Sequence, residues 1–281
     1  MTPHLPVSDL LGRDSFLSDL QAAVASDPRL RAAWLEGSLG RGSADRYSDV
    51  DLHLLVAEAD IVAFRAAIEG WLRDIRPLAL FNLLFRSAMV NAMTMDALRL
   101  DVWPHAGEHI DLEAARVRVL HAVPGAVTLN ARSMPPDRGA SARYLLGLLH
   151  EFWRCISMLP AVIGRQERLV AVQGLAVELG LVTELLIAGS GTVRDRGVKH
   201  ANPFLPPDLR ARLEAEVLPA DLGEQALADA HLRLARLVQE QGPDISARFD
   251  FTYPQELEDV VLKNVWDELA GLGLNVSTTR P

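Results

Sequence analysis

The sequence predicts an α+β fold: an N-terminal mixed sheet with helices, then a C-terminal all-α helical bundle. Three observations predict it. Short apolar runs bounded by turn residues recur between residues 32 and 103. From residue 140 onward the apolar residues fall only at helical spacing. Between these halves, Pro124 to Gly139 is rich in Pro, Gly, Ser and Arg and has no period, which reads as a linker. The expected domains are therefore residues 1–135 and 136–281.

In chain order, Asp14 to Ala25 carries Phe16, Leu17, Leu20, Ala23 and Val24 on one helical face. Ala32 to Glu36 is a short strand ending at Gly37, and Val50 to Ala57 is a stronger one. Ile61 to Ile75 reads as a helix with Phe64, Ile68, Trp71 and Leu72 on one side. Strands follow at Ala79 to Phe85, Val90 to Met95 and Leu98 to Trp103, and Asp96-Ala97 turns the last two into a hairpin. The helical half divides into about Ala140–Ile163, Glu167–Ala188, Pro207–Glu216, Leu222–Gln241 and Pro254–Gly271. Gly164, Gly189 and Gly242 are placed at helix ends.

Of the 281 residues, 49% are apolar, enough for a substantial core, and the formal charge is −9. Residues 1–135 hold 13 Arg and Lys against 17 Asp and Glu, and the remainder 15 against 20. Neither half is basic, which disfavours nucleic acid as a partner, and a cationic small molecule suits the field better. Cys155 is the only cysteine, which excludes an internal disulfide and a thiolate metal site. Met1 to Leu10 lacks a signal-peptide pattern. Leu169 to Ala188 is interrupted by Gln173, Glu178 and Glu184 and reads as a buried helix, with no membrane partner. The expected location is cytoplasmic.

The chemistry concentrates between Gly37 and Asp51. A Gly-Ser turn, Gly37-Ser38, follows the first strand, and Asp49-Val50-Asp51 opens the second. Residues two apart on a strand share a side, so Asp49, Asp51 and His53 face one way while Val50, Leu52, Leu54 and Val56 face the core. On the later strand Arg99, Asp101 and Trp103 share a side. Neighbouring strands would bring Asp49, Asp51 and Asp101 together. Two such charges ~7 Å apart at an effective dielectric of ~20 repel by roughly 2 kcal/mol, which a divalent cation removes. Carboxylates with phosphate oxygens are a ligand set for Mg²⁺. Gly37 lets backbone approach an anion, Ser38 offers a hydroxyl and an N–H, Gly40 and Gly42 open the loop, and Arg41 adds charge.

These residues resemble the nucleotidyltransferase superfamily that includes DNA polymerase beta. The pattern is Gly-Ser, a spacer, Asp-x-Asp/Glu and a third carboxylate on a later strand, matched by Gly37, Ser38, Asp49, Asp51 and Asp101. The similarity is closest to lincosamide and aminoglycoside nucleotidyltransferases, through Arg41, Gly42, Tyr47, Ser48 and Asp49 as well. It covers about residues 30 to 104 and is weak beyond. The resemblance implies a polymerase-beta-like mixed sheet, a helical domain closing over the nucleotide, and two Mg²⁺ ions. It implies that Asp49, Asp51 and Asp101 bind metal, with Asp101 as general base, metal ligand or both. It also implies that Gly37, Ser38, Arg41 and Ser48 hold the triphosphate of an NTP. Gly197-Val198-Lys199 looks like a lysine segment that contacts triphosphate in aminoglycoside adenylyltransferases, although the tryptophan-containing pattern around it is absent.

The expected activity is transfer of NMP from an NTP to a hydroxyl of a small molecule, an aminoglycoside- or lincosamide-type antibiotic among the candidates, with release of pyrophosphate. Antibiotic resistance is then the candidate role, in a monomer or homodimer. RNA or protein as acceptor, and a non-catalytic nucleotide-binding protein on the same fold, are the alternatives. His53, His150, Glu151, Arg154 and Glu167 are secondary candidates whose simplest reading is structural.

Overall fold

A computed structural model describes residues 12–86, 88–131, 141–191 and 201–276. The chain forms two compact units, Met1–Pro135 and Pro136–Pro281.

In the first unit, helix α1 (Arg13–Ser26) precedes strand β1 (Leu30–Leu35), and a single helical turn, α2 (Gly37–Gly40), follows it. Strand β2 (Val50–Val56), helix α3 (Ile61–Ile75) and strands β3 (Leu78–Leu84), β4 (Met89–Thr94) and β5 (Arg99–Ala106) come next. Three short strands close the unit: β6 (Ile110–Glu113), β7 (Arg118–Ala122) and β8 (Val127–Asn130). The main sheet runs β3-β4-β5-β2-β1-β7, and β6 and β8 make a separate parallel pair. Within the six-stranded sheet β2 and β5 are parallel and every other pairing is antiparallel.

Strand alternation decides both faces. Val50, Leu52, Leu54, Leu98, Leu100 and Val102 point to one side and are essentially buried. There they pack with Phe16 and Leu20 of α1 and Phe64 and Ile68 of α3. Burying each such side chain stabilises the unit by roughly 1.5–3 kcal/mol. On the other side a smaller cluster of Ala32, Trp34, Leu55, Leu112 and Ala126 forms against the strands of the β6–β8 pair. The rest of that face carries the polar side chains described below.

The segment expected as a linker, Pro124 to Gly139, is corrected in part. Val127–Asn130 is strand β8, in parallel register with Ile110–Glu113. Pro124 and Gly125 lie in the turn before it, with Gly125 at φ +80°. Residues 132–140 lie outside the described residues.

The second unit is helical: α4 (Ala142–Ser157), α5 (Leu159–Gly164), α6 (Arg168–Gly189), α7 (Pro207–Glu216), α8 (Glu224–Arg248) and α9 (Gln255–Gly271), with a 3₁₀ turn at Asn202–Phe204. Ser141 caps α4 by accepting from the Tyr144 N–H. Leu149, Trp153, Leu185, Leu234 and Val265 lie in one core. Residues 142–164 and 168–189 are each long and apolar enough to cross a bilayer by composition, and each buries part of its surface within the fold.

Two helix boundaries differ from expectation. The helix expected over 140–163 breaks at Met158, because Pro160 has no N–H for the next helical bond and sits in the first turn of α5. The helix expected to end near Gly242 continues through Pro243 to Arg248. Gly242 is retained inside it by packing: a Cβ there would lie 2.3 Å from Tyr253 Cε2. Gly242→Ala is therefore expected to lower stability by about 1–3 kcal/mol through overpacking, although alanine is the better helix former by ~1 kcal/mol. Urea unfolding of the two proteins checks this, and an unchanged or raised midpoint would contradict it.

Candidate active site

The parallel pairing of β2 with β5 sets the site. Its register places Asp51 opposite Asp101. Adjacent strands lie ≈ 4.7–4.9 Å apart, so two carboxylates project side by side from the open face. Asn91 is opposite Asp101 on the other flank, and Asn82 is opposite Asn91. The Asn91 side-chain amide donates to Asp101 Oδ1 at 2.6 Å, which fixes that carboxylate's orientation. On the far side of Asp51, the Glu36 N–H donates to the Asp51 carbonyl at 3.0 Å. Asn82, Asn91, Asp101 and Asp51 thus form one polar row across four strands, continued by Glu36 just after β1.

The Gly-Ser segment is a tight helical turn. The Gly40 N–H donates to Glu36 O at 2.8 Å, and Ser43 N–H to Ser38 O at 2.9 Å. Gly37 has φ +60°, and a Cβ on it would lie 1.9 Å from Asp51 Oδ2. The carboxylate therefore rests in the notch that glycine leaves, so turn and acid are in direct contact. Gly40 is also constrained, since a Cβ would meet Arg116 O at 2.3 Å and Leu35 O at 2.6 Å. The first N–H groups of such a turn have no helical acceptor and suit an anion.

Asp49 lies just before β2, and Asp51 within it. Among the described residues, no three His, Cys, Asp or Glu side chains converge at metal-ligand spacing. The repulsion of roughly 2 kcal/mol per carboxylate pair opposes such convergence without a counter-charge. The donor set itself is hard oxygen from adjacent register positions, with Asp51 seated against open backbone, and it fits Mg²⁺. Ser48 is occupied within the loop before β2: its hydroxyl bonds Asp45 Oδ1 at 3.0 Å and accepts from the Asp45 N–H at 2.9 Å. Arg99 ties down the same loop by donating to Tyr47 O at 2.7 Å. Lys199 lies outside the described residues.

Beside the polar row runs an aromatic one, of which strand alternation places His53 and Trp103 on the side of the acids, while Trp34, Phe85 and His105 are added by the structure. Trp34 pairs with His53, and His53 with Trp103. Trp34 and His53 stack at 5.3 Å, His53 and Trp103 at 6.1 Å, and Trp103 and Phe85 at 5.9 Å. His105 joins from β5, with its Nε2 2.9 Å from His53 Nδ1 and its ring stacked on Trp34. Glu36 accepts from Trp34 Nε1 at 3.0 Å. The parity of Asp101, Trp103 and His105 foretells their common side. Trp34 and Asn91 join only through strand order, which one sequence does not print.

His150, Glu151 and Arg154 belong to α4, where Arg154 pairs with Glu151 at 2.6 Å. These residues are part of the helical unit.

No family model and no curated protein matches the chain. Solved structures similar to it include an aminoglycoside 6-adenyltransferase from Bacillus subtilis, at 14% identity and TM-score 0.43 over 93% of this chain and 98% of that one. A CdnE cyclic dinucleotide synthase from Elizabethkingia meningoseptica is 14% identical, with TM-score 0.32 over 95% of each chain. A STING-associated CdnE c-di-GMP synthase from Capnocytophaga granulosa is 11% identical, with TM-score 0.31 over 93% of this chain and 80% of that one. Similarities this distant assign the chain neither a family nor an activity.

Burial pushes His53 down to about 4, against an opposing pull from Glu36, with a further downward push from His105. His105 is also lowered, chiefly by burial. Both rings are therefore neutral in the folded protein at pH 7. The unfolded chain takes up these protons near pH 6.5, so stability is full above that pH. It declines as pH falls towards 4, by up to ~3 kcal/mol for His53, and levels off below. Urea midpoints between pH 4 and 7.5 should show this slope, and His53→Phe should flatten it. An equal slope in the two proteins would rule out His53 as its source.

Proposed function

We propose that the chain is a Mg²⁺-dependent nucleotidyltransferase that moves NMP from an NTP to a hydroxyl of a small molecule and releases pyrophosphate. The observation that carries this reading is Asp51, in register with Asp101 and seated against Gly37. One contact joins an anion-accepting turn to a pair of adjacent acids, which is the geometry the motif resemblance calls for. Residues 1–135 are then the catalytic domain and 136–281 the helical C-terminal domain.

Asp49, Asp51 and Asp101 would hold the metal, for which two ions are proposed. When bound, Mg²⁺ supplies charge neutralisation for the phosphates and lowers the pKa of a coordinated hydroxyl. The chain's own groups do the rest. Gly37, Ser38 and Arg41 hold the triphosphate, with Ser48 supporting the loop and Lys199 proposed as a further phosphate contact. Asp101 takes the proton from the acceptor hydroxyl as its oxygen bonds the α-phosphorus and the bond to pyrophosphate breaks. Asn91 keeps Asp101 aimed during that transfer. Excess negative charge on the chain disfavours a polyanionic acceptor and favours a cationic one, such as an aminoglycoside- or lincosamide-type antibiotic. A cytoplasmic protein, monomeric or homodimeric, with resistance as its role completes the proposal.

Asp49→Asn, Asp51→Asn and Asp101→Asn are each expected to lower turnover at least ~100-fold. Pyrophosphate release measured with Mg²⁺, each NTP and a panel of hydroxyl-bearing antibiotics checks this. Near-native turnover in any variant removes that residue's assignment. Labelling of tRNA or protein, with no transfer to small molecules, would overturn the acceptor class while keeping the chemistry.

A further inference from the structure

The helical unit contains a cavity of about 230 Å³ lined by residues of α4, α5, α6 and α8. Met158, Leu159, Val162, Val170 and Val177 give it an apolar wall, and the first, fourth and fifth of these are exposed at its rim. Glu178 and His231 also line it, and each is only 2% exposed. A dry cavity of about 150 Å³ suffices for benzene, so this one accommodates a ring with a short substituent.

The buried pair is unusual as a wall. His231 Nε2 donates to Ala171 O at 3.1 Å, since a carbonyl can only accept. His231 Nδ1 and Glu178 Oε2 share one proton at 2.6 Å. Glu178's second oxygen takes no hydrogen bond from a described side chain or backbone group. Burial pushes the Glu178 carboxyl up, and His231 draws it back. A buried, hydrogen-bonded polar pair gives little stability over apolar residues of the same size, so core packing alone does not account for it.

Gly174 also lines the cavity beside this pair. It lies inside α6, where glycine is a poorer helix former than alanine. Packing does not require it: a Cβ would stand 3.5 Å from His231 Cε1, an ordinary contact. Glycine there keeps the edge of the imidazole open towards the cavity. The charges at the site also cancel, because Glu178 faces His231 and Arg154 at the rim is paired with Glu151.

We propose that this cavity binds a small, neutral, mainly apolar molecule that donates one hydrogen bond to Glu178. The proposal does not depend on the nucleotide-transfer reading. The full chain, without nucleotide, is titrated with benzyl alcohol, toluene and benzoate and followed by thermal shift and ligand-observed NMR. Benzyl alcohol is expected to bind saturably, roughly 3- to 10-fold tighter than toluene for one added hydrogen bond, with benzoate excluded. Gly174→Leu keeps both residues of the pair and adds bulk to the cavity, and should weaken benzyl alcohol at least ~10-fold. The double variant Glu178→Leu, His231→Phe should reverse the preference in favour of toluene. If that protein does not fold, Gly174→Leu alone decides. The site is refuted by unsaturable benzyl alcohol binding, by equal affinity for toluene in the native protein, or by binding that Gly174→Leu leaves unchanged.

Discussion

The contact between Asp51 and Gly37 is the constraint on which the rest of the N-terminal unit depends. A side chain at position 37 would occupy the same space as the carboxylate oxygen. The backbone at 37 also sits at φ +60°, where any other L-residue is strained. Position and conformation thus both demand glycine. The contact in turn requires β1 and β2 to be antiparallel neighbours, which their ladder from Leu30 to Leu35 provides. The parallel pairing of β2 with β5 then adds the second acid. Parallel neighbours need a crossover, and α3, β3 and β4 form it. The intervening residues are therefore what bring Asp101 beside Asp51.

Two rows of opposite character share one face of this sheet. The polar row carries acids and amides, and the aromatic row carries stacked rings reaching from the covered Trp34 to the exposed Phe85. Their separation is a consequence of the two-residue strand period. A one-residue slip in β2 would turn Asp51 and His53 into the core and expose Leu52 and Leu54. Burying the Asp51 carboxylate would be costly, as burying Asp101 would be after a like slip in β5. The same acids that would perform chemistry therefore help specify the strand register.

Much of this was legible from the sequence. Alternation in Val50–Val56 and Leu98–Trp103 assigned the buried and open faces, and the boundaries of Ile61–Ile75 follow from its amphipathic spacing. The short strands Ile110–Glu113, Arg118–Ala122 and Val127–Asn130 were not legible. Each has four or five residues of mixed polarity, too few for a period to stand out, and their pairing partners are distant in the chain. The hydrogen bond from Asn91 to Asp101 and the stacking of Trp34 on His53 depend on strand order, so residue spacing alone misses them. The continuation of α8 through Gly242-Pro243 also escaped local rules, because a tyrosine from beyond the helix packs against that glycine.

Gly40 extends the motif's influence to the border of the sheet. The backbone of this turn is held between the carbonyls of Leu35 and Arg116, the second of which leads directly into β7. Segment 116–122 carries no chemistry of its own, yet it is the backstop against which the turn rests. Evolutionary drift in that border strand is thereby coupled to the placement of Gly37 and Ser38. Its freedom to vary is narrower than its position at the sheet's margin suggests.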